Sequence, residues 1–257
     1  MKILRFLCPD RKNPTWGILE EGDRVTEVTS PFGGEMRKTG RQFFLGNLRL
    51  LPPVRPSKIV AVGLNYKDHI FELGQAVPEN PILFLKPSTA VIGPGEPILL
   101  PPQSQRVDYE AELAVVIRKK AFQIPKTKVH EYILGYTCFN DVTARDIQTK
   151  DIQWTRSKSF DTFAPLGPWI ADDIDPGNCT VRCFVNGTLK QEGNTQMLLF
   201  PVEELVTFVS SVMTLLPGDV IATGTPQGVG PLLPGDIVEV EIEGIGILQN
   251  PVAVRNA

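Results

Sequence analysis

Hydrophobic residues along this chain come in short runs that Pro, Gly, Asn and Asp residues separate. Many runs are rich in Val and Ile, and such runs between turn residues are typical of β-strands. They predict strands at Ile3–Leu7, Trp16–Leu19, Arg24–Val28, Ile59–Gly63, Ile82–Leu85, Ile98–Leu100, Glu110–Ile117, Leu134–Phe139, Trp169–Ala171, Val181–Val185, Val220–Ala222 and Ile237–Ile242. Helical spacing is found only in three places, a short segment at Asn65–Leu73, the residues after Asp141, and Val202–Leu215.

Prolines mark one boundary in this pattern. The segment Leu51–Pro56 holds three prolines, which interrupt helices and supply no N–H to a sheet. We therefore divide the chain into a small N-terminal β appendage, residues 1–50, and a larger domain, residues 51–257. The expected fold class is β-rich α+β with few short helices.

Composition and charge exclude several classes of protein. The chain has 257 residues, 42% of them hydrophobic, which is enough to bury a full core. A net charge of -3 without runs of like charge argues against nucleic acid and anionic membranes as partners. The N-terminal segment lacks the apolar stretch of a signal peptide, and no segment approaches the ~20 apolar residues of a membrane span. A cytoplasmic location is therefore expected.

Cysteine and histidine usage limits the metal chemistry. The four cysteines are scattered and form no Cys-x-x-Cys pair, so reduced, buried thiols are expected. The two histidines, His69 and His130, cannot build a His-rich zinc site. Any metal ion must therefore have oxygen ligands, which favours Mg²⁺, Mn²⁺ or Ca²⁺.

Two carboxylates interrupt an otherwise apolar strand. Side chains alternate along a strand, so Glu110 and Glu112 project from one face, in line with Ala114 and Val116. Two carboxylates on a buried strand repel each other, and each carries a desolvation cost on the order of several kcal/mol that a cation can offset. The alternative is an edge strand with one solvated face.

A third carboxylate, Asp141, comes directly after the next apolar strand. Strand ends are common positions for ligand-binding side chains. For Asp141 alone, a helix N-cap or a turn residue is a more common role than a metal ligand. Together, three carboxylates would leave about three of the six octahedral positions of Mg²⁺ for water and substrate.

Four sequence segments resemble the fumarylacetoacetate hydrolase family, in the family's order. They are Asp108–Leu113 (DYEAEL), Asn140–Asp146 (NDVTARD), Lys158–Asp161 (KSFD) and Thr223–Gly230 (TGTPQGVG). The resemblance runs from about Ile59 to the C-terminus. It implies a fold of rolled and sandwiched β-sheets, usually a homodimer, and an Mg²⁺ or Mn²⁺ site formed by Glu110, Glu112 and Asp141.

The same resemblance implies three substrate-binding residues, Arg145, Gln148 and Thr225. Arg145 and Gln148 are three residues apart, so they project from one face of the predicted helix that starts near Thr143. The guanidinium group suits a substrate carboxylate. The alternative is a surface Arg145 that pairs with Asp146 or Asp151.

The implied catalytic residues are His69, Glu72 and Lys158. His69 and Glu72 lie one helical turn apart, so they can act as a water-activating dyad, although an ordinary surface ion pair explains the spacing as well. Lys158 lies in a loop-like segment, where a lysine is usually solvated. The resemblance assigns it to stabilisation of an enolate, and it matches no role to His130.

Together with these residues, the resemblance implies a metal-dependent hydrolase of carbon-carbon bonds in acylpyruvate (2,4-dioxo acid) substrates, with an enolate intermediate. The same site would serve two alternatives, an oxaloacetate decarboxylase or tautomerase and a 2-hydroxyhepta-2,4-diene-1,7-dioate isomerase. A more remote alternative is a non-catalytic metal- or ligand-binding protein. The expected partner in every case is a small 2-oxo-carboxylate, and Phe71, Leu73, Phe84 and Trp154 are the candidate walls of its pocket.

Overall fold

The computed structural model of the chain describes residues 1–8, 11–68 and 76–255. In these ranges the strands are β1 (Lys2–Leu7), β2 (Thr15–Glu20), β3 (Arg24–Val28), β4 (Lys38–Phe44), β5 (Arg49–Leu51), β6 (Ile59–Gly63), β7 (Ile82–Lys86), β8 (Val91–Ile92), β9 (Ile98–Leu100), β10 (Val107–Tyr109), β11 (Ala111–Ile117), β12 (Ile133–Asn140), β13 (Thr143–Ala144), β14 (Ala164–Ala171), β15 (Thr180–Val185), β16 (Thr188–Asn194), β17 (Val220–Ala222), β18 (Gly230–Pro231), β19 (Ile237–Ile242) and β20 (Gly246–Val254). The α-helices there are α1 (Arg145–Lys150), α2 (Thr155–Lys158) and α3 (Val202–Val212). Short 3-10 helices lie at Glu21–Asp23, Leu45–Asn47, Ser88–Ala90, Lys126–Tyr132 and Thr195–Met197. The predicted β-rich fold with few short helices is confirmed.

The strands form three sheets. A twelve-stranded sheet has the order β4-β3-β2-β1-β14-β12-β11-β17-β6-β7, with β5 beside β1 and β8 beside β14. A five-stranded sheet has the order β16-β15-β19-β20-β9, and a three-stranded sheet the order β13-β10-β18. Strand β1 pairs antiparallel with β14, so the N-terminal strands extend the largest sheet.

The centre of the molecule is the pair β11 and β12, in which every residue is buried. On one face, Leu113 and Val115 belong to a core cluster that includes Val206 of α3 and Val240 of β19. On the other face, Ala114 and its neighbours pack in a second cluster with residues of β6 and β14. Apolar contacts on both faces explain the nearly continuous hydrophobic run of β11, since each buried Val or Leu side chain stabilises the fold by roughly 1.5–3 kcal/mol.

The strands predicted from the hydrophobic runs are present, although β14 starts at Ala164, ahead of the predicted Trp169. The prediction missed β4, β16, β20 and several strands of two or three residues. Strand β4 is exposed along almost its whole length, and the sequence of β16 is largely polar. Neither strand therefore has the hydrophobic pattern on which the prediction relied.

The helices differ more from the prediction. Helix α1 starts at Arg145 rather than Thr143, because Thr143 pairs with Asp108 as part of the three-stranded sheet. The loop expected around Lys158 is wrong, since this residue ends the single turn of α2. Helix α3 ends at Val212, short of the predicted Leu215. The predicted helix Asn65–Leu73 extends past residue 68, outside the described residues.

The described residues bear on membrane insertion and on disulfide formation. Among them, no helix combines the length and the apolar character needed to cross a membrane. All four cysteines are buried and carry reduced thiols, which confirms the expectation.

Candidate metal centre and active site

Pairing between β11 and β12 brings the three predicted carboxylates together. Ala111 is in register with Asn140, so the start of β11 lies beside the end of β12. Glu110 and Glu112 flank Ala111, and Asp141 follows Asn140. One carboxylate oxygen from each of the three acidic residues lies within 4.8 Å of the others, and all three side chains are buried. The edge-strand alternative is wrong, because β11 lies between β12 and β17.

Hydrogen bonds fix this acidic triad, by which we mean Glu110, Glu112 and Asp141. The N–H of Asp141 donates to the carbonyl of Glu110 at 2.9 Å, and the N–H of Glu110 donates to Oδ1 of Asn140 at 3.0 Å. The N–H of Gly224 donates to Oε2 of Glu112 at 2.9 Å. The triad is therefore held by backbone contacts from three segments.

Glu112 is the member of the triad whose charge is least compensated. Within the described part of the chain, Glu112 has no ion pair. Burial, followed by repulsion from Asp141 and Glu110, raises its pKa well above the usual value. Three buried carboxylates at this spacing are hard oxygen ligands of the type that Mg²⁺ and Mn²⁺ prefer. The residues fit a divalent cation, and Glu112 is the member whose charge most needs one.

Two buried lysines contact the triad. Lys158, 3% exposed, donates from Nζ to Oε2 of Glu110 at 2.8 Å and to Oδ2 of Asp141 at 2.6 Å. Burial opposes its charge, but Asp141 and Glu110 outweigh burial and raise the pKa of Lys158. Lys86, at the end of β7, is fully buried and donates to Oδ1 of Asp141 and to the carbonyl of Val142. Burial lowers the pKa of Lys86, against the attraction of Asp141.

Arg145 lies at the first position of α1 and points into the same site. Its Nε donates to Oδ2 of Asp108 at 2.9 Å, its Nη1 to Oε1 of Gln148 at 2.6 Å, and its Nη2 to Glu110. Burial acts against the charge, yet Glu110 and Asp108 outweigh it and raise the pKa of Arg145. The surface alternative for Arg145 is wrong. Its two expected partners bond elsewhere, Asp146 to Ser104 and Asp151 to Arg156.

A pocket of about 340 Å³ opens onto the triad. Its described lining includes Arg145, Gln148, Lys158 and Thr225, together with Phe84 and Trp154. The two aromatic rings meet edge to face with centroids 5.4 Å apart. Phe84 also lies under the Lys158 ammonium, 5.0 Å from its ring centroid. The pocket therefore has a charged floor and an aromatic wall.

Several predicted residues lie elsewhere or outside the described ranges. His69 and Glu72, the predicted dyad, fall outside the described residues, as do the candidate wall residues Phe71 and Leu73. His130, which matched no role, lies exposed in a 3-10 helix.

The structure adds three buried polar residues that the sequence analysis did not single out. Lys86 bonds Asp141, and Asp108 accepts hydrogen bonds from Arg145 and Arg106. Gln191 donates to Oγ1 of Thr225 at 2.8 Å and accepts from the N–H of Ala111 at 3.0 Å, which ties Thr225 to the start of β11. Lys86 follows an apolar strand in the same way as Asp141, so the strand-end argument would have found it.

Comparison with known proteins places the chain among enzymes of one family. The model described as "Fumarylacetoacetate (FAA) hydrolase C-terminal" matches residues 58–253, and "Rv2993c-like, N-terminal" matches residues 1–53. A Rattus norvegicus protein, "Oxaloacetate tautomerase Fahd2a, mitochondrial", is 47% identical over 214 residues, 79% of this chain and 68% of the relative.

Two solved structures are similar along the whole chain. The 5-carboxymethyl-2-hydroxymuconate delta-isomerase from Mycobacterium smegmatis is 47% identical with a TM-score of 0.92, covering 99% of this chain and 100% of that one. Maleylpyruvate hydrolase from Sphingobium sp. SYK-6, solved with manganese(II) ion and pyruvate, is 29% identical with a TM-score of 0.82 and covers 100% of both chains. The match over three quarters of the sequence and the agreement of fold have one consequence: the chain belongs to the fumarylacetoacetate hydrolase family.

Proposed function

We propose that this protein is a divalent-metal-dependent isomerase that interconverts the keto and enol forms of a small 2-oxo dicarboxylate such as oxaloacetate. The observation that carries the proposal is the buried acidic triad with Lys158 and Arg145 beside it in one pocket of about 340 Å³. Pockets for drug-sized ligands begin at about 300 Å³, so this volume is near the lower end of the range and suits a compact dicarboxylate. The tautomerase and isomerase names of two relatives, each 47% identical to this chain, support the choice of reaction.

Glu110, Glu112 and Asp141 would hold Mg²⁺ or Mn²⁺. When bound there, the ion would supply Lewis-acid polarisation of the 2-oxo-carboxylate group. The three side chains supply hard oxygen ligands and all line the pocket, so a substrate in the pocket could reach an ion that they hold.

Arg145 and Gln148 would bind the carboxylate of the substrate. The guanidinium is held at Nε by Asp108, so it can exchange its Glu110 contact for the substrate without losing its orientation. Thr225, fixed by Gln191, offers a hydroxyl on another part of the pocket lining. This arrangement orients the 2-oxo group towards the triad.

Lys158 would stabilise the negative charge that develops at the 2-oxygen when a proton leaves carbon 3. Its ammonium is only 3% exposed and already lies against two carboxylates and the Phe84 ring, and a charge in such a buried position acts strongly. The His69 and Glu72 dyad, proposed from the sequence, would accept the carbon-3 proton. Returning that proton to the 2-oxygen completes the keto-to-enol step without loss of atoms.

Carbon-carbon hydrolysis of acylpyruvates is a second candidate, which the maleylpyruvate hydrolase relative supports. It needs the same enolate but adds a water molecule activated by the dyad. Oxaloacetate decarboxylation would use the enolate as well. A non-catalytic metal-binding protein is the remaining alternative.

The test assays the purified protein, first stripped with EDTA and then given Mg²⁺ or Mn²⁺, against oxaloacetate and acetylpyruvate in parallel. Metal-dependent loss of the ultraviolet absorbance of the oxaloacetate enol, without release of CO₂, is expected. Acetate release from acetylpyruvate would move the assignment to the hydrolase, and CO₂ release to the decarboxylase.

Two variants separate catalysis from binding. Lys158→Met and His69→Ala should each lower turnover by about a hundredfold or more, the usual size of such single catalytic contributions, while the metal-induced rise in melting temperature is retained. A protein that binds metal but converts neither substrate, with or without these substitutions, would contradict the proposal. The homodimer that the family resemblance implies stays a prediction that light scattering can test.

A further inference from the structure

A second cavity lies away from the acidic triad, where the N-terminal strands meet the rest of the molecule. It has a volume of about 700 Å³. Four cationic side chains, Arg5, Lys12, Arg49 and Arg55, line this cationic cleft, and Glu96 is its one carboxylate among the described lining residues. The whole chain has a net charge of -3, so the positive charge is concentrated here against the overall balance.

Arg5 is the unusual member of the cationic cleft. It lies on β1, in register with Trp16 and Leu51 of the flanking strands, and is only 8% exposed. In the described part of the chain its one hydrogen bond is from Nη1 to the neutral carbonyl of Pro52, at 3.4 Å, and no carboxylate lies within ion-pair distance. Buried arginines are normally paired, because an isolated buried charge is costly.

A second arginine increases this cost. Burial, followed by repulsion from Arg55, lowers the pKa of Arg5. Arg55 is exposed in the proline-rich segment between β5 and β6 and also lines the cationic cleft. Both guanidinium groups therefore line the same cleft, and guanidinium groups bind carboxylates and phosphates through paired N–H donors.

The other lining residues that the structure describes supply polar groups but no ion pair to Arg5. Glu96 is already engaged, since Oε1 lies 3.2 Å from Nη2 of Arg49 and Oε2 accepts from the N–H of Gly93 at 2.6 Å. Ser88 and Thr89 add two hydroxyl groups from a 3-10 helix. The cleft therefore offers guanidinium groups and neutral hydroxyl donors to one small ligand.

We propose that the cationic cleft binds a small oxyanion with at least two negative charges, a phosphate group or a dicarboxylate, with Arg5 and Arg55 as its main ligands. Such an anion would supply the counter-charge that Arg5 lacks. The site uses none of the residues of the acidic triad or its pocket. It is therefore independent of the proposed isomerase activity.

Calorimetric titration of the full chain tests this proposal. Inorganic phosphate and malonate are titrated separately in EDTA at constant ionic strength, so that chelation of a metal in the acidic triad does not contribute. We expect saturable binding of at least one of the two anions. The anion with the lower Kd shows whether the cleft prefers a phosphate group or a dicarboxylate. Arg5→Met and Arg55→Gln should each weaken the Kd by about tenfold, as expected for loss of a charged hydrogen bond.

Arg37→Gln is the matched control, because Arg37 is a 78% exposed arginine directly before β4 and does not line the cleft. Its Kd should equal that of the wild type. In anion-free buffer, Arg5→Met should melt no lower than the wild type, because it removes an unpaired charge and keeps the aliphatic packing. If Arg5 had a purely structural role, the melting temperature of Arg5→Met would instead be lower than that of the wild type in every buffer.

The proposal is overturned if the wild type binds neither anion, or if both arginine variants bind as tightly as the wild type. Because Arg55 is exposed, Arg55→Gln decides the question even if Arg5→Met does not fold.

Discussion

Replacing Glu112 with Gln should have opposite effects on stability with and without a divalent cation. In the metal-free protein, Glu112 is buried beside two other carboxylates, and its ionisation is opposed by both burial and repulsion. Glutamine keeps the shape and an oxygen that accepts from the N–H of Gly224, but it carries no charge. With metal, the same change removes one of the three oxygen anions that would bind the ion.

The magnitude follows from the geometry of the triad. Two unit charges at 4.8 Å, the upper limit of separation of the ligand oxygens, repel by about 3.5 kcal/mol at an effective dielectric constant of about 20. Lys158 offsets much of this, so we expect a net gain of about 1 kcal/mol in the metal-free variant, or roughly 2–4 °C in Tm. For the wild type, metal at a hundred times its Kd adds about 2.7 kcal/mol, or roughly 5–10 °C.

The effect should also depend on pH. Because the pKa of Glu112 is raised in the folded state, the folded protein binds a proton more tightly than the unfolded chain. That contribution is fully present below the unfolded-state pKa of about 4.3 and is lost as pH rises through the higher folded-state value. Metal-free wild type should therefore lose stability relative to Glu112→Gln on going from acidic to neutral pH.

Thermal unfolding followed by circular dichroism measures these differences in Tm. It is recorded in EDTA and with excess Mg²⁺ or Mn²⁺, each at acidic and at neutral pH. Glu131→Gln is the control, since Glu131 is exposed and, among residues 1–8, 11–68 and 76–255, forms an ion pair only with Lys119, across 3.4 Å. It should leave both melting temperatures unchanged. If Glu112→Gln melts below the wild type in EDTA, or keeps the full metal-induced rise, then repulsion in the triad is not what the cation relieves.

Three further predictions follow from single contacts. A Cβ at Gly63 would lie 2.5 Å from Cζ3 of Trp154, so Gly63→Ala should displace the pocket wall and raise KM by roughly tenfold. Adding Trp154→Leu, with its smaller side chain, to Gly63→Ala should restore KM. Steady-state kinetics of the single and the double variant checks this. Asp108→Asn removes the charge that holds Arg145, so in steady-state kinetics it should raise KM more than it lowers kcat. A fall in kcat with unchanged KM would point to a different role for Arg145. Burial, followed by repulsion from Asp175, raises the pKa of Cys179 to about 11, and all four thiols are buried. A thiol reagent should therefore label the native protein far more slowly than the unfolded protein. Equal labelling rates would refute the buried arrangement.

Buried strands were predictable because they carry their own signal. Strand β11 is apolar on both faces, and its neighbour β12 is equally apolar, so each appears as a hydrophobic run whatever the rest of the fold does. Strand β4 has no such signal, since its residues are exposed and only its pairing with β3 makes it a strand. The order of the strands is a long-range property, and the pairing of β1 with β14 joins residues that are far apart in sequence.

The site divides in the same way. Glu110, Glu112 and Asp141 could be predicted because each breaks an apolar pattern at or beside a strand, and register between two adjacent strands then brings them together. Lys86 breaks an apolar pattern too, at the end of β7, but its contact with Asp141 joins strands that lie on different sides of β11 and β17 in the sheet. A charged residue at the end of an apolar strand is therefore informative by itself, whereas its partner is set by sheet order.

Arg5 extends this reasoning to a case in which no partner is found. It too interrupts an apolar strand, β1, and the sequence analysis gave it no role. For Lys86 the structure supplies a carboxylate, so its charge is explained by the acidic triad. For Arg5 the described residues supply only a carbonyl oxygen and a second arginine nearby. The same physical rule, that a buried charge requires a counter-charge, explains one residue from within the chain and requires a ligand from outside it for the other.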